Sequence, residues 1–274
     1  MNTTLEWNLL LQSPLFAPLY PVIARLTPDR FPTLDELNAL LDARQIAVQS
    51  GCALRFVEQG IGRLAFEQQY EPRCYLTGEV QTRQDNWHDL LNALVWLTYP
   101  AAKAAINTRH YHALTNQAAE LESSSQRGAV RDTNTLLDES GVIVAYADEE
   151  LAGLLRDFQW TELFWQRRER VKASMGFYVF GHGLYEKALQ PYIGMTGQGL
   201  LLPVEQDFFS WPQAQQSAHL DALLADYLAD PENCRTTREL SPVPLLGVPG
   251  WSADNNCMSY YENSDFFRPG RRKC

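Results

Sequence analysis

Apolar and polar positions along the chain follow two periods, and the helical one dominates. Leu34, Leu37, Leu40 and Leu41 recur on one helical face behind Thr33 and Glu36, whose spacing is that of a capping box. Residues 85–97 predict a second helix, capped by Asp85 or Asn86, with Leu90, Leu91, Leu94 and Val95 turned inward. Pro100 suits the first turn of an Ala-rich helix over 100–111 that folds back on its predecessor as a hairpin. Asp148 caps a helix through Leu154 and Leu155, and further helices are predicted over 160–171, 184–190 and 214–229.

The shorter period marks strands over 52–57, 142–146 and 177–180, with a weaker strand over 74–77. Residues 123–132 are polar and read as a loop. Residues 7–24 carry no charge, but Asn8, Gln12, Pro14, Pro18 and Pro21 interrupt them, so they predict a broken segment lying on the core rather than a membrane span. The final stretch from residue 242 has four prolines, Pro242, Pro244, Pro249 and Pro269, with Trp251, Tyr260, Tyr261, Phe266 and Phe267 among them. It is too aromatic for a free linker and too proline-rich for a helix. The expected architecture is a helix-rich α+β or α/β unit over 1–274. Its small central sheet is built from the strands near Leu54, Val144 and Val179, flanked by a broken apolar segment (1–32) and an extended C-terminal arm (242–274) that packs on the body.

Composition narrows the class of partner. The 274 residues are 45% hydrophobic and 20% charged, an ordinary globular profile. A net charge of −10 gives no long-range field that would draw nucleic acid or anionic lipid. Five cysteines without a C-x-x-C pair fit a reducing compartment, and Glu6 ahead of the apolar opening, with Arg25 the first basic residue, does not predict a secretory leader. A cytoplasmic location without membrane contact is expected.

Candidate chemistry lies in four places. His88 and Asn92 share a helix face next to Asp89, which suits a metal ligand or a general base; the plain alternative is a capped helix start with a surface histidine. Lys103, Asn107 and His110 fall at i, i+4 and i+7 on the following helix, against the alternative of a solvated face. His182 and Glu186, with Lys187 beside them, sit where an apolar strand turns into a helix between Gly181 and Gly183. Ligands gather beyond strand ends of this kind, although a histidine there can also simply cap the helix. Asp138 and Glu139, adjacent carboxylates ahead of the strand 142–146, suit a metal or a general acid and also read as turn residues. There is no G-x-S-x-G elbow, no G-x-G-x-x-G and no phosphate-cradling P-loop.

Three segments also carry sequence motifs: Asn86-Trp87-His88-Asp89-Leu90-Leu91-Asn92, Phe180-Gly181-His182-Gly183-Leu184-Tyr185-Glu186-Lys187, and Leu246-Gly247-Val248-Pro249-Gly250-Trp251. With Asp138-Glu139-Ser140-Gly141, these resemble an uncharacterised bacterial family, the domain of unknown function DUF3025. The resemblance spans most of the chain and implies no activity. From the residues, the expectation is an enzyme with one pocket holding His88, Asp89 and His182, with His110, Asp138 and Glu139 nearby. His88, Asp89, His182 and Glu186 are the expected catalytic groups, and Asn92, Lys103, Asn107 and Lys187 the substrate contacts. Either lysine would neutralise an anionic group. His88, Asp89, His110 and His182 are the expected ligands of a divalent zinc, iron or manganese ion that assists hydrolysis of a small or modified substrate. A non-catalytic binding or adaptor protein is the first alternative. RNA processing is the second, resting on the Arg167, Arg168, Arg170 and Lys172 cluster against the acidic net charge.

Overall fold

The computed structural model describes residues 3–60, 62, 64–118 and 124–270. The opening is helical rather than extended: α1 (Thr3–Gln12), a 3-10 turn over Pro14–Leu19, and α2 (Tyr20–Ile23). Its prolines break it into pieces, and Trp7, Leu10, Phe16 and Leu19 are buried in the core. Among the described residues no helix is long and apolar enough to cross a membrane. Next comes α3 (Leu34–Asp42), closed by the capping box of Thr33 and Glu36.

The strand β1 (Arg55–Val57) follows, then α4 (Tyr70–Thr77) and β2 (Glu79–Gln81). The helix α4 takes the place of the strand expected over 74–77 and ends at Gly78, whose φ of 74° closes it in a left-handed cap. β1 pairs in parallel with β2, a two-stranded sheet of its own rather than part of the main one.

The central hairpin is α5 (Trp87–Thr98), capped by the Asn86 side chain, and α6 (Pro100–Ala118). Next, α7 (Ser124–Ser140) occupies most of the polar stretch read as a loop; residue 123 lies outside the described residues. The buried strand β3 (Gly141–Tyr146) leads to α8 (Glu149–Arg156). The helix expected over 160–171 is divided by a π-turn at Glu162–Gln166 before α9 (Arg168–Ser174). Then come β4 (Met175–Val179), α10 (His182–Ala188), β5 (Thr196–Pro203) and α11 (Gln213–Ala229). β6 (Ser241–Pro244) and α12 (Met258–Tyr261) belong to the arm.

The four-stranded sheet has the order β4-β3-β5-β6, with β3 antiparallel to β4 and parallel to β5. Pro242 and Pro244 lie on the edge strand, the sheet position that tolerates a missing N–H. The arm packs on the body as expected. Val243, Leu245, Val248, Tyr261 and Phe267 are buried, and the Trp160 indole donates to the Arg268 carbonyl at 2.8 Å. One cluster of buried apolar side chains takes in Trp7 at one end of the chain and Phe267 at the other, so this α+β fold closes over a continuous core.

The hairpin that carries much of the site is anchored from behind. The Asp221 carboxylate on α11 accepts the Ala101 and Ala102 N–H groups at 3.1 and 2.8 Å, satisfying donors that the first turn of α6 leaves free. Burial pushes the Asp221 carboxyl up to about 6, against those two hydrogen bonds, which pull it down. Between roughly pH 4 and 6 the folded protein therefore keeps a proton that the unfolded chain has released, so this group's contribution to stability falls as pH rises through that window and is level above it. In Asp221→Asn that slope is expected to vanish. Urea unfolding at about pH 4.5 and about pH 7 measures it, and a variant that keeps the wild-type slope would assign the effect to another group.

Candidate metal centre

Two histidines distant in sequence meet because two helix starts meet. The Asn86 side chain caps α5 and sets His88 in its first turn, and Gly181 starts α10 with His182 as its first residue. Helix α10 packs against both α5 and α7. The two imidazoles face each other edge to face, with ring centroids 4.6 Å apart and Nε2 to Nε2 at 3.1 Å. Their outer nitrogens are both committed: His88 Nδ1 lies 2.8 Å from Glu186 Oε2, and His182 Nδ1 lies 2.8 Å from the Asp138 carbonyl oxygen. A carboxylate and a carbonyl only accept, so each Nδ1 carries a proton, and the two Nε2 atoms face one another close enough to share a proton or a metal ion.

Glu139 supplies a third electron-pair donor, its Oε1 3.6 Å from His182 Nε2. One ligand atom from each of His88, Glu139 and His182 lies within 4.8 Å of the other two. His182 is buried, while His88 and Glu139 are partly exposed, so solvent reaches the triad from the Glu139 side. Burial, reinforced by Lys103 and His88 against the pull of Asp138, lowers the His182 imidazole to about 4 and favours its neutral, ligating form. Burial raises the Glu139 carboxyl, with His88 working against it.

The two glycines flanking His182 leave room for this close approach, against backbone at Gly181 and against a side chain at Gly183. A Cβ on Gly181 would stand 2.5 Å from the backbone nitrogens of Ser140 and Gly141, and one on Gly183 would stand 2.3 Å from Glu139 Oε2.

Behind the triad, α4, α6 and α7 enclose a polar cluster. Lys103 is 3% exposed and its ammonium is paired with Asp138 Oδ1, 5.5 Å above the Trp96 ring centroid. The Asn107 amide donates to Glu71 at both the carbonyl (3.0 Å) and Oε2 (2.6 Å). The Asn92 amide donates to the Tyr70 hydroxyl at 2.7 Å. His110 is buried here and acts electrostatically on Glu71 and Asp138. Burial raises the Glu71 carboxyl, against His110 and the Asn107 hydrogen bond.

Asp89 is not part of the triad. It accepts from the Arg83 backbone N–H at 2.6 Å and from its guanidinium at 2.9 Å, because residues 88 and 89 point about 100° apart around a helix and cannot both face one ion. The fourth expected metal ligand, His110, lies in the inner cluster instead, and Glu139 takes the carboxylate position. Glu186 touches His88 as a second-layer group, and Asn92 and Asn107 lie inward. Lys103 is committed to Asp138, and Lys187 is exposed on α10 next to Glu186. Tyr70 and Glu71 were not candidates from sequence, since the segment that carries them did not read as a helix.

The basic cluster is likewise spent within the fold. Arg170 pairs with Asp148 and Glu150, Arg167 with Glu150 and Glu162, and Lys172 with Glu169, while Arg168 donates to Asn255 and Asn256. None of the arm's hydrogen bonds or ring contacts among the described residues reaches the histidine pair.

No curated protein and no solved structure matches this chain. The family model described as "Protein of unknown function (DUF3025)" matches residues 54–271, a span that begins at the edge of β1, encloses His88, Glu139 and His182, and ends at the arm, so the chain belongs to the DUF3025 family.

Proposed function

We propose that this protein is a metal-dependent hydrolase whose ion is held by His88, Glu139 and His182. The observation that carries this reading is the pair of Nε2 atoms 3.1 Å apart, with both Nδ1 protons already donated. Two imidazole nitrogens this close need a proton or a metal ion between or beside them, and the Glu139 carboxylate adds a third ligand atom, which favours the metal. A zinc-type ion with ligands at about 2.0–2.2 Å would hold such atoms roughly 3.3 Å apart. Hydrogen bonds from the outer nitrogens to a carboxylate and a carbonyl are the usual second layer around metal-bound histidines, fixing the tautomer and the ring angle.

Three protein ligands leave coordination open for water, the mark of a catalytic rather than a structural site. When bound, the ion would supply Lewis acidity and a water acidified to about pKa 7. The chain's own residues do the rest. Glu186 holds the His88 ring, the Asp138 carbonyl holds the His182 ring, and the buried wall behind His182 excludes solvent from one side. Imidazole and carboxylate ligands suit zinc, iron or manganese.

Elemental analysis of protein purified without added metal tests the reading. About one equivalent of a divalent transition metal is expected in the wild type and in Asp89→Asn, and strong loss in His88→Ala, His182→Ala and Glu139→Gln. A substoichiometric metal content that none of these three variants changes would remove the metal and, with it, the hydrolase.

A further inference from the structure

The inner cluster has hydrogen-bonding capacity that the fold does not use. Asn92 and Asn107 are 6% and 3% exposed, both spend their amide N–H groups on the start of α4, and both leave a buried amide oxygen that accepts nothing. A buried amide oxygen without a donor is costly, and two in one cluster are acceptors left over for a donor from outside the chain. The charge around them is mainly negative. Glu71, Asp138 and Glu139 bring three carboxyl groups to the cluster and the triad, against the Lys103 ammonium, which is already paired with Asp138, and the buried His110.

We propose that this cluster seats a protonated nitrogen group of the substrate, an amine or a guanidine, on the Asn92 and Asn107 oxygens and the Glu71 carboxyl, and that the site discriminates against phosphate and carboxylate groups. The proposal rests on the hydrolase reading, since it places the nitrogen group on the inner side of the same triad. Asp138 joins the two regions: its carbonyl accepts from His182, its carboxylate pairs with Lys103, and its charge is felt by Tyr70 and Glu71. A cation entering there meets acceptors on α4, α5 and α6. An anion meets the Glu71, Asp138 and Glu139 carboxyl groups, with the Lys103 ammonium already held by Asp138, so like charges face it in a site of low dielectric. A divalent ion at the triad would offset part of the negative excess but leaves the inner acceptors unpaired.

Four probes that share a methyl reporter separate the possibilities: methylammonium, methylguanidinium, acetate and methyl phosphate, followed by saturation-transfer NMR on the full-length protein with and without zinc. Saturation of the methyl signal is expected for the two cations. It should weaken about tenfold in Asn92→Leu and Asn107→Leu, which keep side-chain volume and remove the acceptors. Glu71→Gln, which keeps the shape and removes the charge, should also weaken it and serves if a leucine variant fails to fold. Preference for acetate or methyl phosphate, no binding of either cation, or cation binding that is unchanged in all three variants (attraction to an acidic surface, or a cluster that holds water only) would each overturn the proposal. Transition-metal stoichiometry on the same samples keeps the two readings apart: cation binding without any divalent transition metal sinks only the metal centre, and bound metal without cation binding sinks only the nitrogen seat.

Discussion

Lys103→Met is expected to lower the free energy of unfolding by about 3–5 kcal/mol, among the largest losses that any single side chain of this protein can produce. The ammonium is 3% exposed and lies between Asp138 and the face of Trp96. Burial alone would raise the Asp138 carboxyl, but Lys103, His182 and His110 reverse this and hold it below the usual carboxylate range. Without Lys103, Asp138 is a buried anion lacking its main compensating charge, or it takes up a proton at a cost that the wild type avoids. The pair as such contributes far less than its disruption costs, because desolvating both ions offsets most of their attraction. The double variant Lys103→Met, Asp138→Leu is therefore expected to recover most of the loss, since it leaves no uncompensated charge and keeps the Asp138 backbone carbonyl that orients His182. Urea midpoints of the wild type, both single variants and the double variant check this. A Lys103→Met protein within about 1 kcal/mol of wild type would mean that water reaches the pair.

What periodicity and caps specify locally, the fold follows. α3, α5, α8 and α11 lie where leucine spacing and the side chains of Thr33, Asn86 and Asp148 place them, because a cap and an apolar stripe need only neighbours within one or two turns. The misreadings share a different cause. Cys74, Tyr75, Leu76 and Thr77 have strand-like composition, yet they form the end of α4, fixed by the left-handed Gly78 and by the Arg73 to Glu79 ion pair at 2.7 Å. Residues 124–132 look like a loop for their serines and Gly128, but they open α7, a helix that packs on α6 through contacts outside any local window. The separation of β1 and β2 from the main sheet is likewise a choice among distant partners.

The site divides along the same line. His88, His182 and Glu186 stand out because a histidine at a helix start, or one followed by an acid four residues on, is a local pattern, and these three do meet. The rejection of Asp89 was available from helix geometry alone, since adjacent residues diverge around the axis. Glu139 was legible only as a carboxylate near the pocket, because its place beside the two imidazoles depends on how closely α10 approaches the end of α7. Glu71 was hidden by the misreading of α4.

That close approach makes the two glycines flanking His182 fail in different ways when each is replaced by alanine. At Gly181 the new Cβ would lie 2.5 Å from the backbone nitrogens of Ser140 and Gly141 and 2.6 Å from the Glu139 carbonyl carbon. Backbone atoms at the junction of α7 and β3 cannot swing aside. Relief must come from moving α10 away, which breaks the 2.9 Å hydrogen bond from the Gly181 N–H to the Gly141 carbonyl. A stability loss of about 1–3 kcal/mol is expected, with metal binding falling as a consequence of the shifted helix. At Gly183 the obstacle is Glu139 Oε2 at 2.3 Å, the far end of a flexible side chain. Alanine is also the better residue inside a helix by about 0.5–1 kcal/mol. The fold should therefore stay near wild-type stability while the carboxylate is driven out of the triad, and metal affinity should fall by about 10–100-fold or more. Urea midpoints paired with zinc affinity from chelator competition separate the two outcomes. Unchanged zinc affinity in a stable Gly183→Ala protein would show that Glu139 is not a ligand, leaving His88 and His182 to hold an ion without it.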